Sequence, residues 1–364
     1  MISRWLVMDE NPRSPHRARI LSAGRYLPPT HLTTDELMAT TRHHTHIDLE
    51  RLTGVHERRV SVGDEDSVSL ATAAAVDCLR RADRPAAALD VVVNCSITKY
   101  RDGLTQWLEP TMGLAVAKAI GATKAMTFDL SNACAGMLTG VTVLNNWIRQ
   151  GVVERGLVVS GEYISQLGHN AARHVRNVMS SELASLTLGD AGAALLLERA
   201  PEQAAGISLA GFTTVAEYSR LCLAYTTGKE PGARMFTKSR AIHRAATAVL
   251  PALLQEALDS AGIALGEVDH VITHQTSTRA IRKGMAEVTA VLGDAPRHEA
   301  VVTVDRYGNT ASTTHTVALV EELAAGRIKA GERVALIALA SGLEIGIVLF
   351  TVDEELASSH GHDR

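Results

Sequence analysis

Residues 127–162, TFDLSNACAGMLTGVTVLNNWIRQGVVERGLVVSGE, decide the fold. They contain an apolar strand that ends in Asp, a turn of small residues, a long helix, a glycine-containing turn and a second apolar strand. Residues 303–342, TVDRYGNTASTTHTVALVEELAAGRIKAGERVALIALASG, show the same succession, with a first strand that ends in Asp305. Two copies of one strand–turn–helix–strand unit predict a duplicated α/β fold.

The units that precede these two are also alike. Residues 76–98 and residues 254–277 each combine an amphipathic helix, a short loop and a β-branched strand that ends in Ser or Thr. Because two consecutive units match in order, we favour a duplication over two unrelated α/β domains. We predict an N-terminal half over residues 1–200 and a C-terminal half over residues 201–364. A ligand crevice is expected where the matching strand ends meet.

The overall composition excludes some classes of protein. Of the 364 residues, 46% are hydrophobic and 21% charged, which is typical of a soluble globular protein. A net charge of −4 argues against a general nucleic-acid binder. The sequence has no apolar run of the length that a signal peptide or a membrane span needs, so we expect a cytoplasmic protein. The first 17 residues are expected to form an extension, and the last ten a frayed, polar end.

One of the four cysteines occupies an unusual position. Cys134 lies in the small-residue turn between a strand, AMTFDL, and a helix that begins near Gly136. A helix N-terminus favours the thiolate, which is the nucleophilic form of cysteine. The alternative is a core cysteine in a tight turn. No CxxC pair or metal-ligand cluster is present, so the cysteines are expected to be free thiols without a metal.

Two residues of the second half are candidate partners of Cys134. His274 follows directly on the predicted strand VDHVIT, residues 268–273, and Asn309 lies in the turn that corresponds to the cysteine turn. A thiolate can attack a thioester carbonyl. A His and an Asn side chain can then donate hydrogen bonds to the enolate oxygen of a second acyl group. Alternatively, His274 caps a loop and Asn309 caps the next helix. Gly342 follows the last repeat strand, so its N–H and that of Cys134 are candidate donors to the acyl oxygen.

Several motifs lie along the chain in a characteristic order, and together with the cysteine turn they resemble one known family. They are residues 53–59 (TGVHERR), 188–194 (LGDAGAA), 274–275 (HQ), 305–310 (DRYGNT) and 341–342 (SG). The chain looks like a ketoacyl-ACP synthase III-like member of the thiolase superfamily, nearly end to end. The resemblance implies an αβαβα five-layered thiolase sandwich and a dimer with an identical or related subunit. It also implies a Cys134–His274–Asn309 triad and a narrow tunnel for a phosphopantetheine arm with Arg279 near its mouth. Acyl-CoA or an acyl carrier protein would deliver the acyl group, and no cofactor is implied.

The sequence departs from the family pattern in two places. Residues 47–52, IDLERL, do not clearly keep the basic and aromatic clamp for the CoA adenine. Glu109, in residues 106–111 (QWLEPT), resembles the OleA-type subgroup that joins two acyl thioesters head to head. That resemblance implies that Glu109 enters the partner subunit's site and removes a proton from the α-carbon of the second acyl chain. The alternative is a solvated loop acid.

Four functions therefore stay open. The first is a non-decarboxylative Claisen condensation that gives a β-keto product, with Glu109 as base. The second is a decarboxylative condensation with malonyl-ACP. The third is acyl transfer to an oxygen or nitrogen acceptor in natural-product biosynthesis. The fourth is a non-catalytic subunit of a heterodimer. Because only 4% of the residues are aromatic, the tunnel walls are expected to be aliphatic.

Overall fold

The computed structural model describes residues 6–7, 16–201 and 206–360, with the backbone alone described for residues 6–7. The prediction of an N-terminal extension is wrong for Leu6–Val7, which form a strand of a central sheet. The rest of that extension up to residue 15 lies outside the described residues. The prediction of a frayed end is wrong for residues 355–360, because Leu356 and His360 are buried. His360 Nε2 lies 3.0 Å from the carbonyl oxygen of Ala23.

The strands are short to medium in length and are numbered in chain order. They are β1 Leu6–Val7, β2 Ala18–Tyr26, β3 His31–Thr33, β4 Glu57–Arg59, β5 Val91–Asn94, β6 Tyr100–Arg101, β7 Thr105–Gln106, β8 Met126–Asp129, β9 Arg155–Glu162, β10 Ala191–Arg199, β11 Ile207–Thr214, β12 Cys222–Tyr225, β13 Arg234–Thr237, β14 His270–Thr273, β15 Arg333–Ala340 and β16 Glu344–Thr351.

The helices alternate with these strands. They are α1 Thr34–Ala39, α2 Leu49–Thr53, α3 Ser67–Ala82, α4 Met112–Ile120, α5 Gly136–Arg149, α6 Ser165–Ala172, α7 Ser239–Ala261, α8 Thr278–Leu292, α9 Val304–Tyr307, α10 Thr314–Ala324 and α11 Glu354–Ser358. Among the described residues, no helix is both long enough and apolar enough to cross a bilayer.

Two five-stranded sheets form the frame of the described structure. Their strand orders are β2-β10-β9-β5-β8 and β1-β11-β16-β15-β14. Helices α5 and α10 pack against strands of both sheets and therefore form a central layer. Helices α3 and α4 cover the outer face of the first sheet, and α7 covers the second. This is the αβαβα sandwich that the resemblance implied. The boundary between halves at residue 200 stays a prediction.

The duplication extends to the connections. In both halves a short parallel strand, β5 or β14, pairs with the strand that follows the central helix, β9 or β15.

The prediction of a strand ending in Asp305 is wrong, because Val304–Tyr307 forms α9 instead. The physical reason is the side chain of Gln275, whose Oε1 accepts the N–H groups of Thr303 and Val304. Those two donors are therefore not available to a neighbouring strand.

Candidate active site

The turn that carries Cys134 connects β8 to α5. Ala133–Ala135 forms one 3₁₀ turn directly before α5, and Ala133 has a left-handed φ of 45°. A Cβ atom on Gly136 would lie 2.9 Å from the carbonyl oxygen of Cys95, so only glycine allows this approach to the end of β5. The close packing holds the turn in place, and Cys134, which is half-buried, lines a large cavity.

Asn309 lies just before the matching turn of the second half, Ala311–Thr313. Its backbone is held by two hydrogen bonds, from Asn309 N to Thr187 O at 2.8 Å and from Gly189 N to Asn309 O at 3.1 Å. The side-chain Oδ1 of Asn309 accepts the N–H of Ala311 at 3.0 Å. The N-cap of α10 is Thr313, so Asn309 does not cap that helix. Because Oδ1 is used within the turn, the amide NH₂ is the group that Asn309 offers to a ligand.

His274 lies directly after β14. Its N–H donates to Ile337 O at 2.9 Å, which continues the parallel pairing of β14 with β15 by one residue. Its side chain is buried and lines the same cavity as Cys134 and Asn309. Burial, with a further contribution from His315, lowers the pKa of His274 from 6.5 to about 3. The imidazole is therefore neutral at physiological pH.

The ionisation of Cys134 differs from the expectation. A position at a helix N-terminus predicts a lowered pKa, yet burial raises the pKa of the Cys134 thiol, and Cys222 and Glu162 raise it further. The resting residue is therefore a neutral thiol. A neutral thiol becomes a good nucleophile when a base takes its proton as it attacks, and the neutral imidazole of His274 in the same cavity is such a base.

The cavity has a volume of about 1300 Å³. Typical ligand pockets measure roughly 300–1,000 Å³, so this one has room for a long ligand. Its described lining has many aliphatic residues and two aromatic ones, Tyr100 and Tyr225, which agrees with the prediction of aliphatic rather than aromatic walls. Polar residues and several cations also line it. The aliphatic lining includes Leu167, Met235, Ile242, Leu250, Ile281 and Met285, and the cations are Lys99, Lys238, Arg240 and Arg244.

Comparison with known proteins adds to this geometry. Residues 128–215 match the family model for 3-oxoacyl-[acyl-carrier-protein (ACP)] synthase III, and residues 258–352 match the model for its C-terminal part. The chain belongs to the ketoacyl-ACP synthase III-like enzymes of the thiolase superfamily. It is therefore an acyltransferase that performs a thiolase-type condensation.

Curated relatives include two synthases of similar length. The β-ketoacyl-[acyl-carrier-protein] synthase III of Symbiobacterium thermophilum is 28% identical over 83% of this chain and 92% of its own length. The mycobacterial β-ketoacyl-[acyl-carrier-protein] synthase III of Mycobacterium avium is 28% identical over 90% of this chain and 94% of its own.

Solved structures share the fold. The 3-oxoacyl-[acyl-carrier-protein] synthase III of Aquifex aeolicus has a TM-score of 0.77 and 25% identity, covering 92% of this chain and 100% of its own. A variant of Xanthomonas campestris OleA with bound lauric acid and lauroyl-CoA has a TM-score of 0.80 and 23% identity, covering 92% of this chain and 99% of its own. The OleA likeness concerns the fold alone.

Three other predicted site residues lie outside the cavity lining of this ketoacyl synthase III-like chain. Glu109 is exposed, beside Leu108, whose side chain is 77% exposed. Arg279 is exposed on the first turn of α8, between the cavity-lining residues Ser277 and Ala280. Gly342 follows the lining residue Ser341 and has a φ of 149°. The roles of Glu109, Arg279 and Gly342 stay predictions.

Two buried residues beside the site, Glu162 and His315, were not predicted from the sequence. Glu162 ends β9 and accepts hydrogen bonds from the N–H groups of Ile97 and Thr98, at 2.9 and 3.1 Å, and from the hydroxyl of Ser312. It thereby connects two cavity-lining residues to the second half. His315, on α10, faces His274. The available signal was a charged or titratable side chain within a stretch of small and apolar residues.

One cluster in the described structure could hold a metal ion. The ligand atoms of His270, His298 and Glu332 lie within 4.8 Å of one another, at the end of β14 away from His274. His270 Nε2 and Glu332 already pair at 2.9 Å, and the two histidine rings stack. The expectation that catalysis needs no metal or other cofactor stays a prediction.

Proposed function

We propose that the protein joins two acyl thioesters in a non-decarboxylative Claisen condensation. The observation that carries this proposal is that Cys134, His274 and Asn309 line one large cavity with many aliphatic side chains. We assign them the roles of nucleophile, base and amide donor to an acyl chain bound in this cavity. Three exposed cations of the lining, Lys238, Arg240 and Arg244, are suited to the phosphates of a CoA or phosphopantetheine carrier. The fourth, Lys99, already pairs with Asp129 at 2.8 Å.

The first step loads an acyl group onto Cys134. The Sγ–H proton passes to Nε2 of the neutral His274 as the sulfur attacks the thioester carbonyl. The C–S bond to the carrier then breaks, and the leaving thiolate takes a proton from solvent. The N–H groups of Cys134 and Gly342 are the proposed donors to the carbonyl oxygen. This step leaves an acylated Cys134 beside a protonated His274.

The second step forms the carbon–carbon bond. The partner subunit's Glu109 removes a proton from the α-carbon of a second acyl thioester. His274 Nε2–H and the Asn309 amide donate hydrogen bonds to the enolate oxygen. The enolate carbon attacks the acyl carbon on Cys134, and the Cys134 thiolate leaves and recovers its proton from His274. The product is a β-keto thioester, and Glu109 returns its proton to solvent.

The position of Glu109 supports its assignment to the partner's site. In its own chain Glu109 is solvent-exposed and does not line the cavity. The exposed Leu108 beside it gives this segment an apolar tip that another protein surface would cover. A carboxylate is needed only when no malonyl carboxylate is lost, because some base must then generate the carbanion.

Incubation with a single saturated acyl-CoA tests this function. We expect a β-keto thioester, or the ketone derived from it, without any malonyl donor. The variant Glu109→Gln should lose this product and still form the acyl adduct on Cys134. The matched control is Asp102→Asn, which changes another exposed acid of the same segment between β5 and α4 and should keep full activity. If only malonyl-ACP gives product, the proposed function is wrong.

The second candidate is decarboxylative condensation with malonyl-ACP. The observation in its favour is that the curated relatives above carry the name β-ketoacyl-[acyl-carrier-protein] synthase III. In this reaction the loss of CO₂ generates the carbanion, so Glu109→Gln would remain active. Acyl transfer to a hydroxyl or amine would instead consume the acyl adduct without a new carbon–carbon bond.

A further inference from the structure

Two buried imidazoles face each other behind the cavity. The ring of His274, directly after β14, and the ring of His315, near the start of α10, have centroids 5.9 Å apart and planes inclined by 30°. His274 lines the cavity, whereas His315 is enclosed by the central layer and is 1% exposed. Ile337 O accepts from both residues, from His274 N at 2.9 Å and from His315 Nε2 at 3.0 Å.

The hydrogen bond to Ile337 determines the tautomer of His315. A carbonyl oxygen only accepts, so His315 Nε2 must carry the proton. Burial lowers the pKa of His315 to about 4, so the ring is neutral at physiological pH. Its Nδ1 is therefore an unprotonated acceptor. Within the described part of the chain, this Nδ1 has no hydrogen-bond partner.

The Nδ1 atom of His274 is in the same situation. It is buried and has no partner among the residues that the structure describes. A buried nitrogen without a partner costs free energy, and an acceptor that faces a donor removes the cost for both. The proximity of the rings lets a small rotation or one bridging water connect the two nitrogens.

We propose that His315 is a positioning residue whose Nδ1 accepts the Nδ1–H of His274, directly or through one water. This inference rests on the proposed role of His274 as the base that takes the Cys134 proton. With its proton held on Nδ1, His274 presents the lone pair of Nε2 towards the cavity. The same acceptor stabilises His274 once Nε2 is protonated, because a hydrogen bond from a charged ring is stronger than one from a neutral ring.

A matched pair of variants separates the acceptor from the volume of the side chain. In His315→Asn, the amide oxygen takes approximately the place of Nδ1 and can still accept a hydrogen bond. In His315→Leu, the site is filled without an acceptor. We expect His315→Leu to slow single-turnover acylation of Cys134 by acyl-CoA roughly tenfold, with an unchanged acyl-CoA concentration at half-saturation. His315→Asn should recover most of the rate.

The tautomer of His274 gives a readout that a purely structural role would not change. The ¹⁵N chemical shifts of the resting wild-type enzyme should show His274 protonated on Nδ1, with the signal assigned by its absence in His274→Gln. A His274 protonated on Nε2 would overturn the proposal, as would equal acylation rates in the two His315 variants.

These measurements are independent of the condensation itself. Acylation of Cys134 precedes both decarboxylative and non-decarboxylative condensation, so a failure of the Glu109 assignment leaves the expected tautomer unchanged. Conversely, a β-keto product formed without malonyl donor, together with a His274 protonated on Nε2, would retain the proposed function and exclude this role of His315.

Discussion

The turn Ala133–Ala135 and the turn Ala311–Thr313 are the same structure used for two purposes. Each begins with an alanine in a left-handed conformation, with φ of 45° at Ala133 and 56° at Ala311. Each continues directly into a helix of the central layer, and the two turns pack against each other. Cys134 and Ser312 are the middle residues of the two turns.

The surroundings of these two residues differ. Cys134 lines the cavity, whereas Ser312 is fully buried and donates to the carboxylate of Glu162. Ser312 and Ser160 also share a hydrogen bond of 2.7 Å. The turn alone therefore does not make a nucleophile. The first half exposes its middle residue to a ligand, and the second half uses its own to hold the halves together.

The first prediction compares the chemical roles of the two middle residues, Cys134 and Ser312, and has the largest effect on activity. Cys134→Ala should lower turnover at least about 10³-fold, because the covalent intermediate cannot form. Ser312→Ala should still form the adduct. Intact-protein mass spectrometry after exposure to acyl-CoA measures this directly. An acyl adduct that persists in Cys134→Ala would assign the nucleophile elsewhere, with Cys222, which also lines the cavity, as the first alternative.

The second prediction concerns the contribution of Ser312 to the stability of the fold. Removing its hydroxyl takes one donor from a fully buried carboxylate, so Ser312→Ala should lower the free energy of unfolding by roughly 1–3 kcal/mol. Urea denaturation measures the change. Thr310→Ser, a conservative change at a buried neighbour without a bond to Glu162, is the control. An unchanged stability in Ser312→Ala would refute its role in joining the halves.

The third prediction concerns how stability depends on pH at another pair of matching positions, His315 and Met137. His315 is the second residue of α10, and Met137 is the second residue of α5. The pKa of His315 is lowered from 6.5 to about 4, so the unfolded chain binds this proton more readily. Stability contributed by the neutral ring is present above pH 6.5 and is lost as the pH falls towards 4.

His315→Leu should remove this term. Between pH 6 and pH 5 the wild type should lose stability more steeply than the variant, by up to about 1.4 kcal/mol per pH unit. Urea denaturation at these two pH values compares the slopes. Parallel slopes would show that His315 keeps an ordinary pKa in the folded protein.

The smallest effect concerns Tyr100 and Arg279, which follow the matching residues Cys95 and His274 by five positions. Tyr100 is buried and lines the cavity, whereas Arg279 is exposed next to the lining residue Ala280. Arg279→Ala should raise the KM for acyl-CoA a few-fold, in the range of roughly 0.5–1 kcal/mol, and leave stability unchanged. Arg282→Ala, an exposed cation of the same helix, is the control. A loss of kcat without a change in KM would contradict a role at the mouth.

The sequence predicted the duplication and the location of Cys134, His274 and Asn309 because strand periodicity and small-residue turns are local signals. Helix α9 was not predictable in the same way. It depends on the side-chain oxygen of Gln275, which accepts hydrogen bonds from the backbone N–H groups of Thr303 and Val304. Glu162 and His315 act through contacts with distant parts of the chain. The raised pKa of Cys134 depends on burial, which outweighs the expected effect of the helix terminus.

Neither half places the proposed carbon base, Glu109, in the cavity lining of its own chain. Cys134 belongs to the first half and His274 and Asn309 to the second, whereas the proposed carbon base, Glu109, is exposed and outside the cavity lining of its own chain. In the proposed mechanism, one chain provides the triad and the partner subunit's Glu109 completes the site.

Mixed dimers can show whether Glu109 acts in the partner's site. The variants Cys134→Ala and Glu109→Gln should each be inactive in condensing a single acyl-CoA. When the two are unfolded, mixed and refolded together, or co-expressed, one site of each mixed dimer contains an intact Cys134 and the partner's intact Glu109. We expect β-keto product to return in the mixed dimers. Mixed dimers that form but make no product would contradict it, because Glu109 would then act within its own chain or not at all.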